Sequence, residues 1–384
     1  MIGKLQTLII LTALAAACGS ALLYAQAPGA AAKPQPDVLL FTDGEKLIGQ
    51  LKSAKGDSVV FKSDMAGEVI VPWVKIQELR TSHPFAIVGK NAKLVRHMDV
   101  SQVPQGNLSM TDQKIAVEAA AGAPRTVPVA DAGFLLPQPD FERAMNRNAG
   151  FLEDWGGAVT AGASLVHATQ DASTFTGGIA LVRAEPTESW LPSSTRTLAG
   201  FSFAYGKVTQ PNTPDIKTNI FHAGLEEDKY FSARVFGFGQ AAFDHNFAQG
   251  LSLQQNYGGG LGWTAYKTGA AELDIKAAVS FIHQSFNSGI FSAPTGENLI
   301  GTTFGEIYTR KFQHGILLNQ QISFTPAWNV TSAYFGTGII SLALPVHKRL
   351  SVALGAQDSF LNDPPPGFKK NSFQFTAGLT YALK

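Results

Sequence analysis

A chain of 384 residues with 30 basic and 29 acidic side chains, net charge +1, offers no electrostatic footprint for nucleic acid or a strongly anionic surface. Only 15% of its residues are charged, while Gly (38) and Phe (26) are abundant, a mixture unlike a disordered chain or a typical cytosolic enzyme. Few charges with many glycines and aromatics is the composition expected of a barrel in lipid.

Lys4 precedes the apolar run LQTLIILTALAAACGSALLYA, and Ala25-Gln26-Ala27 closes it with a small-x-small pattern before Pro28. Residues 1–27 therefore read as an export signal rather than a membrane anchor. Cys18, the single cysteine, leaves a lipoprotein reading open, although Ala15-Ala16-Ala17 has Ala where such signals usually carry Leu. Cleavage after Ala27 would leave a mature chain without disulfide or thiol chemistry. Beyond residue 30 nothing approaches the roughly 18–20 consecutive apolar residues of a helical span. Any membrane crossing would then need a closed barrel, because lipid cannot satisfy a free strand edge.

Residues 28–36 (PGAAAKPQP) form a linker. From Asp37 to Leu136, short alternating apolar strings are broken by Asp43-Gly44 and Gly56-Asp57 turns, which predicts a small, strongly bent SH3-like β region. Lys46–Leu51 resembles Lys93–Met98, and Val69–Ile76 resembles Arg125–Ala132, so this region reads as a tandem pair. Chance similarity between short apolar strings is the alternative. Residues 137–155 form a second linker, with a helical turn starting near Asp140.

Residues 156–384 read as an antiparallel barrel of about twelve strands. Phe373, Phe375, Ala377, Leu379 and Tyr381 occupy one face, while Gln374, Thr376, Gly378 and Thr380 occupy the other. Leu273–Phe281, Leu350–Ala356 and Phe201–Tyr205 alternate in the same way, which is a strand period and not a helix stripe. A soluble sandwich shares that alternation. The small, uncharged second face and strands near the 9–11 residues of a membrane strand favour the barrel. Turns near 169–174, 208–216, 243–251, 286–298, 325–329 and 361–371 would lie outside the cell. Those near 185–195, 226–229, 266–271, 311–315 and 344–349 would face the periplasm, 185–195 being too long for that side.

The chain carries no nucleophile elbow, phosphate loop, zinc motif or other catalytic, cofactor or metal signature. Asp244-His245-Asn246 reads as a loop tip. Charged residues within the strands, Arg183, Arg234, Asp274, Lys276, Glu306 and Arg310, are expected to face the lumen. Lipid would penalise an Arg or Lys at the midplane by about 2–4 kcal/mol. There they would form ion pairs that fill the interior, or line a small solute path.

Three stretches carry a family resemblance: DWGGAVTAGASLVHATQDASTFTGGIAL, DHNFAQGLSLQQNYGGGLGW and QDSFLNDPPPGFKKNSFQFTAGLTYAL. They are similar to the opening strand pair, the acidic-x-x-Phe-x-Gly-Leu segment and the Gly-Leu-x-Tyr close of the salt-induced outer-membrane protein family, domain of unknown function 481. The resemblance implies an outer-membrane location and no known reaction. The expectation is a non-enzymatic outer-membrane barrel with a periplasmic N-terminal region, either a narrow passive channel or a structural, stress-related component. Its partners would be outer-membrane lipid, the barrel assembly machinery and a periplasmic envelope protein, with no cofactor and no nucleic acid. The alternatives are a secreted two-domain β-sandwich binding protein and, behind it, a barrel-embedded lipid hydrolase.

Overall fold

The computed structural model describes residues 35–118, 124–167, 171–210, 213–286 and 296–383. The expected signal and Cys18 lie outside the described residues. The chain forms two compact units: residues up to Phe85 with Gln105–Val129, and Ala86–Pro104 with everything from Ala130 onward. Residues 37–136 are thus divided between two units rather than forming one.

The first unit carries β1 (Asp37–Phe41), β2 (Lys46–Lys55), β3 (Ser58–Ser63), β4 (Gly67–Pro72), most of β5 (Ile76–Gly89), β6 (Gln105–Thr111), β7 (Lys114–Glu118) and β8 (Arg125–Pro128). They are hydrogen-bonded in the order β4-β3-β2-β1-β5-β6-β7-β8, a small barrel-like sheet. Alternation places Leu39, Val59, Phe61 and Leu79 in a core that excludes water completely. Asp37 is buried there too, and its carboxylate accepts hydrogen bonds from the backbone N–H groups of Leu51 (2.8 Å) and Ser82 (2.7 Å). A buried carboxylate is tolerable only with such donors.

A local order recurs along the chain. β4 ends at Pro72, followed by a 3₁₀ turn over Trp73–Lys75 and then β5. β8 ends at Pro128, followed by a 3₁₀ turn over Val129–Asp131 and then β9 (Ala132–Pro137). The likeness of Val69–Ile76 to Arg125–Ala132 has this structural counterpart. Lys93–Met98 contains no strand, so its likeness to Lys46–Leu51 is one of sequence only.

In the second unit, α1 (Gln138–Met145) begins two residues before Asp140, which sits in the first turn and pairs with Arg143. The barrel follows: β10 (Trp155–His167), β11 (Asp171–Glu185), β12 (Thr195–Gln210), β13 (Thr213–Tyr230), β14 (Val235–Asn246) and β15 (Leu251–Lys267). It continues through β16 (Ala271–Phe286), β17 (Glu297–Lys311), β18 (Leu317–Pro326), β19 (Tyr334–His347), β20 (Leu350–Leu361) and β21 (Asn371–Ala382). The twelve strands pair in sequence and close on themselves. A closed ring has no second sheet, which overturns the sandwich alternative.

The seam joins Val159 to Tyr381 and Ala161 to Leu379. It requires glycine, since a Cβ on Gly378 would lie 2.4 Å from the Ala161 carbonyl oxygen. β10 enters and β21 leaves at the same end of the ring, here the entry end. Its turns fall at 186–194, 231–234, 268–270, 312–316 and 348–349, close to the expected set except that the turn placed at 226–229 lies further on.

The over-long 186–194 connection turns out to have a packing role. Trp190 and Leu191 from it join Ala86, Val88, Leu94, Phe141 and Met145 in one apolar cluster, with the Phe141 and Trp190 rings 5.3 Å apart. Glu188 in the same loop pairs with Arg96 at 2.7 Å. Nearby, Arg147 pairs with Asp154, and that hydrogen bond holds the guanidinium above its ordinary pKa. A length that would be unfavourable for a bare turn is here ordered by a core of its own.

Candidate functional site

Strand register fixes which side chains point inward, because directly paired residues share a face. Phe201, Leu261, Val279, Phe281, Ile322 and Phe375 all lie exposed on one face of the barrel wall. The opposite parity carries Arg196, Glu226, Asp228, Asp274 and Lys276, and these are buried or nearly so. The barrel wall is apolar outside, and within it the paired charges gather on the β12–β16 side.

The interior charges converge on Arg196, at the entry-end portion of β12. Its Nε donates to Asp228 Oδ2 (2.6 Å), Nη1 to Glu272 Oε1 (3.1 Å) and Nη2 to Asp274 Oδ2 (2.7 Å). The guanidinium carbon lies 5.3 Å from the centroid of the Phe236 ring and 5.8 Å from that of Tyr230. Thr264 donates to the second oxygen of Asp274 at 2.7 Å. One turn of the pleat higher, Lys276 holds both oxygens of Glu226 (2.6 and 2.7 Å) above the Phe238 ring. Lys267 completes the set against Glu272. Three cations face four carboxylates at close range, which is what makes buried charges tolerable, and Asp228 Oδ1 is the one buried oxygen of the set without a hydrogen-bond partner.

Further along the same wall, His222 Nδ1 lies 2.7 Å from Asp244 Oδ1, and Gln254 donates to Asp244 Oδ2. Gln284 donates in turn to Gln254. Asp244 and His245 therefore belong to β14 rather than to a loop tip. The other wall differs. The inward residues Ser341, Gly355, Gln357, Gln374 and Thr376 of β19–β21 are small or neutral and half-exposed, and they line a cavity of about 120 Å³, here the lane.

At the far end, two connections fold over the opening. The first is a 3₁₀ turn, Phe247–Gln249, between β14 and β15. Gln249, only 3% exposed, donates from Nε2 to the carbonyls of Ser359 (2.8 Å) and Lys370 (2.7 Å), and Asn246 donates to its Oε1. Ser359 and Lys370 belong to the β20–β21 side, half-way round the ring of twelve, so this strap crosses the mouth. Gly250, at φ +71°, is packed so close to the Phe368 ring that a Cβ would meet it at 2.8 Å. The second cover is the 327–333 connection, whose Ala327, Val330 and Ala333 pack on inward-facing Ile282 and Leu299.

Of the six residues expected inside, Asp274 and Lys276 are turned into this network. Arg234 is not in a strand at all: it lies exposed in the 231–234 turn. Glu306 pairs in register with Ile275 and Ile322, both exposed on the outer face, so it points outward. Arg310 shares that parity and lies over the Phe312 ring, also near the entry end. Arg183 is likewise outward, paired with Glu185 and donating to the carbonyls of Glu153 and Gly150. Arg310 and Arg183 lie within two residues of the entry-end limits of their strands, whereas Glu306 lies five residues inside β17, where outward-facing Gln320 donates to it at 3.1 Å. Arg196, Glu226, Asp228, Glu272 and Gln249 were missed, because the Glu226-Glu227-Asp228 run reads as a turn. Parity counted from Phe201 and Ile275 would have found Arg196 and Glu272.

Among the described residues no cluster of three or more metal-ligating side chains occurs, and no helix is long and apolar enough to cross a membrane. The family model described as "Protein of unknown function, DUF481" matches residues 159–383. No curated protein sequence matches the chain. Among solved structures, the chain is similar to the β domain of the Bordetella autotransporter BrkA, at 11% identity over 60% of this chain and 98% of that one (TM-score 0.28). It is also similar to the translocator domain of NalP from Neisseria meningitidis (8% identity, 59% and 87% covered, TM-score 0.31). A third is the transport unit of AIDA-I from Escherichia coli (13% identity, 61% and 93% covered, TM-score 0.27).

Proposed function

The chain belongs to the DUF481 family, and from that premise we propose that it is an outer-membrane barrel of the bacterial envelope that stands closed at rest, a structural component and not an enzyme. One observation carries the reading: the wall is inverted, with exposed apolar side chains outside and paired charges within. In water an apolar band around a whole barrel would be an aggregation surface, whereas in lipid it is the stable arrangement. The entry end then faces the periplasm, and the strap crosses the extracellular mouth.

Closure at rest is supported by the Arg196 network on one side of the interior and by the Gln249 strap above it. The half-exposed, neutral lane along β19–β21 favours a second reading, in which release of the strap opens a narrow path for small solutes. Membrane fractionation with a heat-modifiable gel shift tests the location, and a soluble product without a shift would end the proposal. Planar bilayers test closure: the intact protein is expected to give no steady conductance. A steady open current from it would replace the structural reading with a pore.

A further inference from the structure

We propose that the turn at Gly150–Trp155 is a lipid-interface foot, which seats the entry end of the barrel in the headgroup layer of the periplasmic leaflet. The inference rests on the outer-membrane reading above and adds a membrane-binding surface to it.

Phe151 and Leu152 are 74% and 85% exposed, the two most exposed large apolar side chains among the described residues of the second unit. Such residues in a mobile loop would mean little, but this turn is held from several sides. The outward-facing Arg183 donates from Nε to the Glu153 carbonyl (3.0 Å) and from Nη2 to the Gly150 carbonyl (3.2 Å). Trp155 donates from its indole N–H to the Phe151 carbonyl (2.8 Å), and the two rings meet edge-on at 6.2 Å. Arg147 pairs with Asp154, which adopts φ +64°. These contacts fix the position of the turn, so the exposure of Phe151 and Leu152 belongs to a held segment and not to a frayed one.

The direction of the turn identifies what it meets. Trp155 is paired in register with Arg183 and shares the outward parity of Val159 and Ile179 on the apolar face. The turn therefore lies on the outer side of the wall at the rim, and Phe151 and Leu152 continue the outer apolar surface past the last strand residues. A Trp at the rim with Phe and Leu just beyond it, beside Arg and Glu, is the chemistry of a segment that lies in the headgroup region. A phospholipid interface fits these groups as occupant.

The test uses the full chain with Cys18→Ser and one reporter cysteine at a time: Leu152→Cys, Leu261→Cys on the outer face, and Met65→Cys in the N-terminal sheet. Each is labelled with an environment-sensitive fluorophore and reconstituted into phospholipid vesicles carrying quenchers at the headgroup or deep in the acyl chains, after the gel shift confirms folding. The label at 261 is expected to be quenched by the deep quencher, that at 152 several-fold more by the shallow one than by the deep one, and that at 65 by neither. Addition of Arg183→Gln should weaken quenching at 152 alone. If 152 behaves like 65 while 261 is quenched, the foot is wrong and the barrel's location stands. A blue-shifted but unquenched label at 152 means that protein covers it, which also overturns the proposal. An unquenched 261 would instead overturn the outer-membrane reading itself.

Discussion

The N-terminal sheet and the barrel are built from the same alternating pattern and resolve it in opposite senses. In the sheet, Leu39, Phe61 and Leu79 are inside and Lys52, Lys62 and Glu68 are outside. In the barrel, Phe201, Val279 and Phe375 are outside while Arg196, Asp228 and Asp274 are inside. Period alone assigns residues to two faces and is silent about which face meets solvent. The deciding quantity is the composition of the second face: charged in the sheet, small and weakly polar along most barrel strands. Hydrophobic burial needs only that apolar area leave water, and a lipid does that as well as a core.

That contrast can be broken most severely at its ionic centre. Arg196→Leu would leave Asp228 and Asp274 without their cation, at a cost of about 3–5 kcal/mol. Urea titration of the folded band should show it, whereas Arg143→Leu on exposed α1 should move the midpoint little. A matching loss is expected in the sheet from Phe61→Ala, about 3–5 kcal/mol for a buried aromatic. Protease should then cut within β1–β8 while the heat-modifiable barrel band persists. Simultaneous loss of both would show that the two units do not fold separately.

A gentler test places one charge on either side of the wall. Val279→Lys, on the outer face, should cost about 2–4 kcal/mol in lipid if that position lies near the midplane. Ser341→Lys, in the half-exposed lane, should be tolerated at a much smaller cost. Equal effects from the two substitutions would contradict the inverted wall.

Much of this arrangement was legible because a strand's parity is arithmetic. The outer faces at Leu273–Phe281, Leu350–Ala356 and Phe373–Tyr381 follow from the sequence alone, as do twelve strands and most turn positions. The assignment of charges failed where a general rule, that charges avoid lipid, was applied without parity. Glu306 lies two residues from outward-facing Phe304, which puts it on the same face. The rule holds at the midplane and relaxes toward the rim, where Arg310 and Arg183 find water or partners, and it relaxes for Glu306 because Gln320 donates to it on the same face. Glu226-Glu227-Asp228 failed for a different reason: three adjacent acids look like a solvated turn. Only the cations of neighbouring strands, Arg196 from β12 and Lys276 from β16, make a buried position acceptable. Long-range pairing of this kind leaves no local signature, and neither does the Gln249 strap, whose acceptors are backbone carbonyls more than a hundred positions away.

The strap offers the smallest stability effect and the most direct functional one. Gln249→Ala removes two side-chain donors, but the freed carbonyls of Ser359 and Lys370 lie at the mouth, where water can replace the amide. The bond that Asn246 donates to the Gln249 Oε1 is lost as well, so the net loss should be about 1–3 kcal/mol, the ordinary worth of a few hydrogen bonds exchanged with solvent. The Arg196 network lies deeper and is untouched, so the folded band and its heat-modifiability should be those of the parent chain. What changes is the cover above the neutral lane. In planar bilayers, Gln249→Ala should give intermittent small conductance where the parent gives none, and Gln249→Glu should do so more strongly, since a carboxylate facing two carbonyl oxygens is repelled. If both variants stay silent while folding normally, the lane beside β19–β21 is not a solute path, and the barrel is closed by its interior alone.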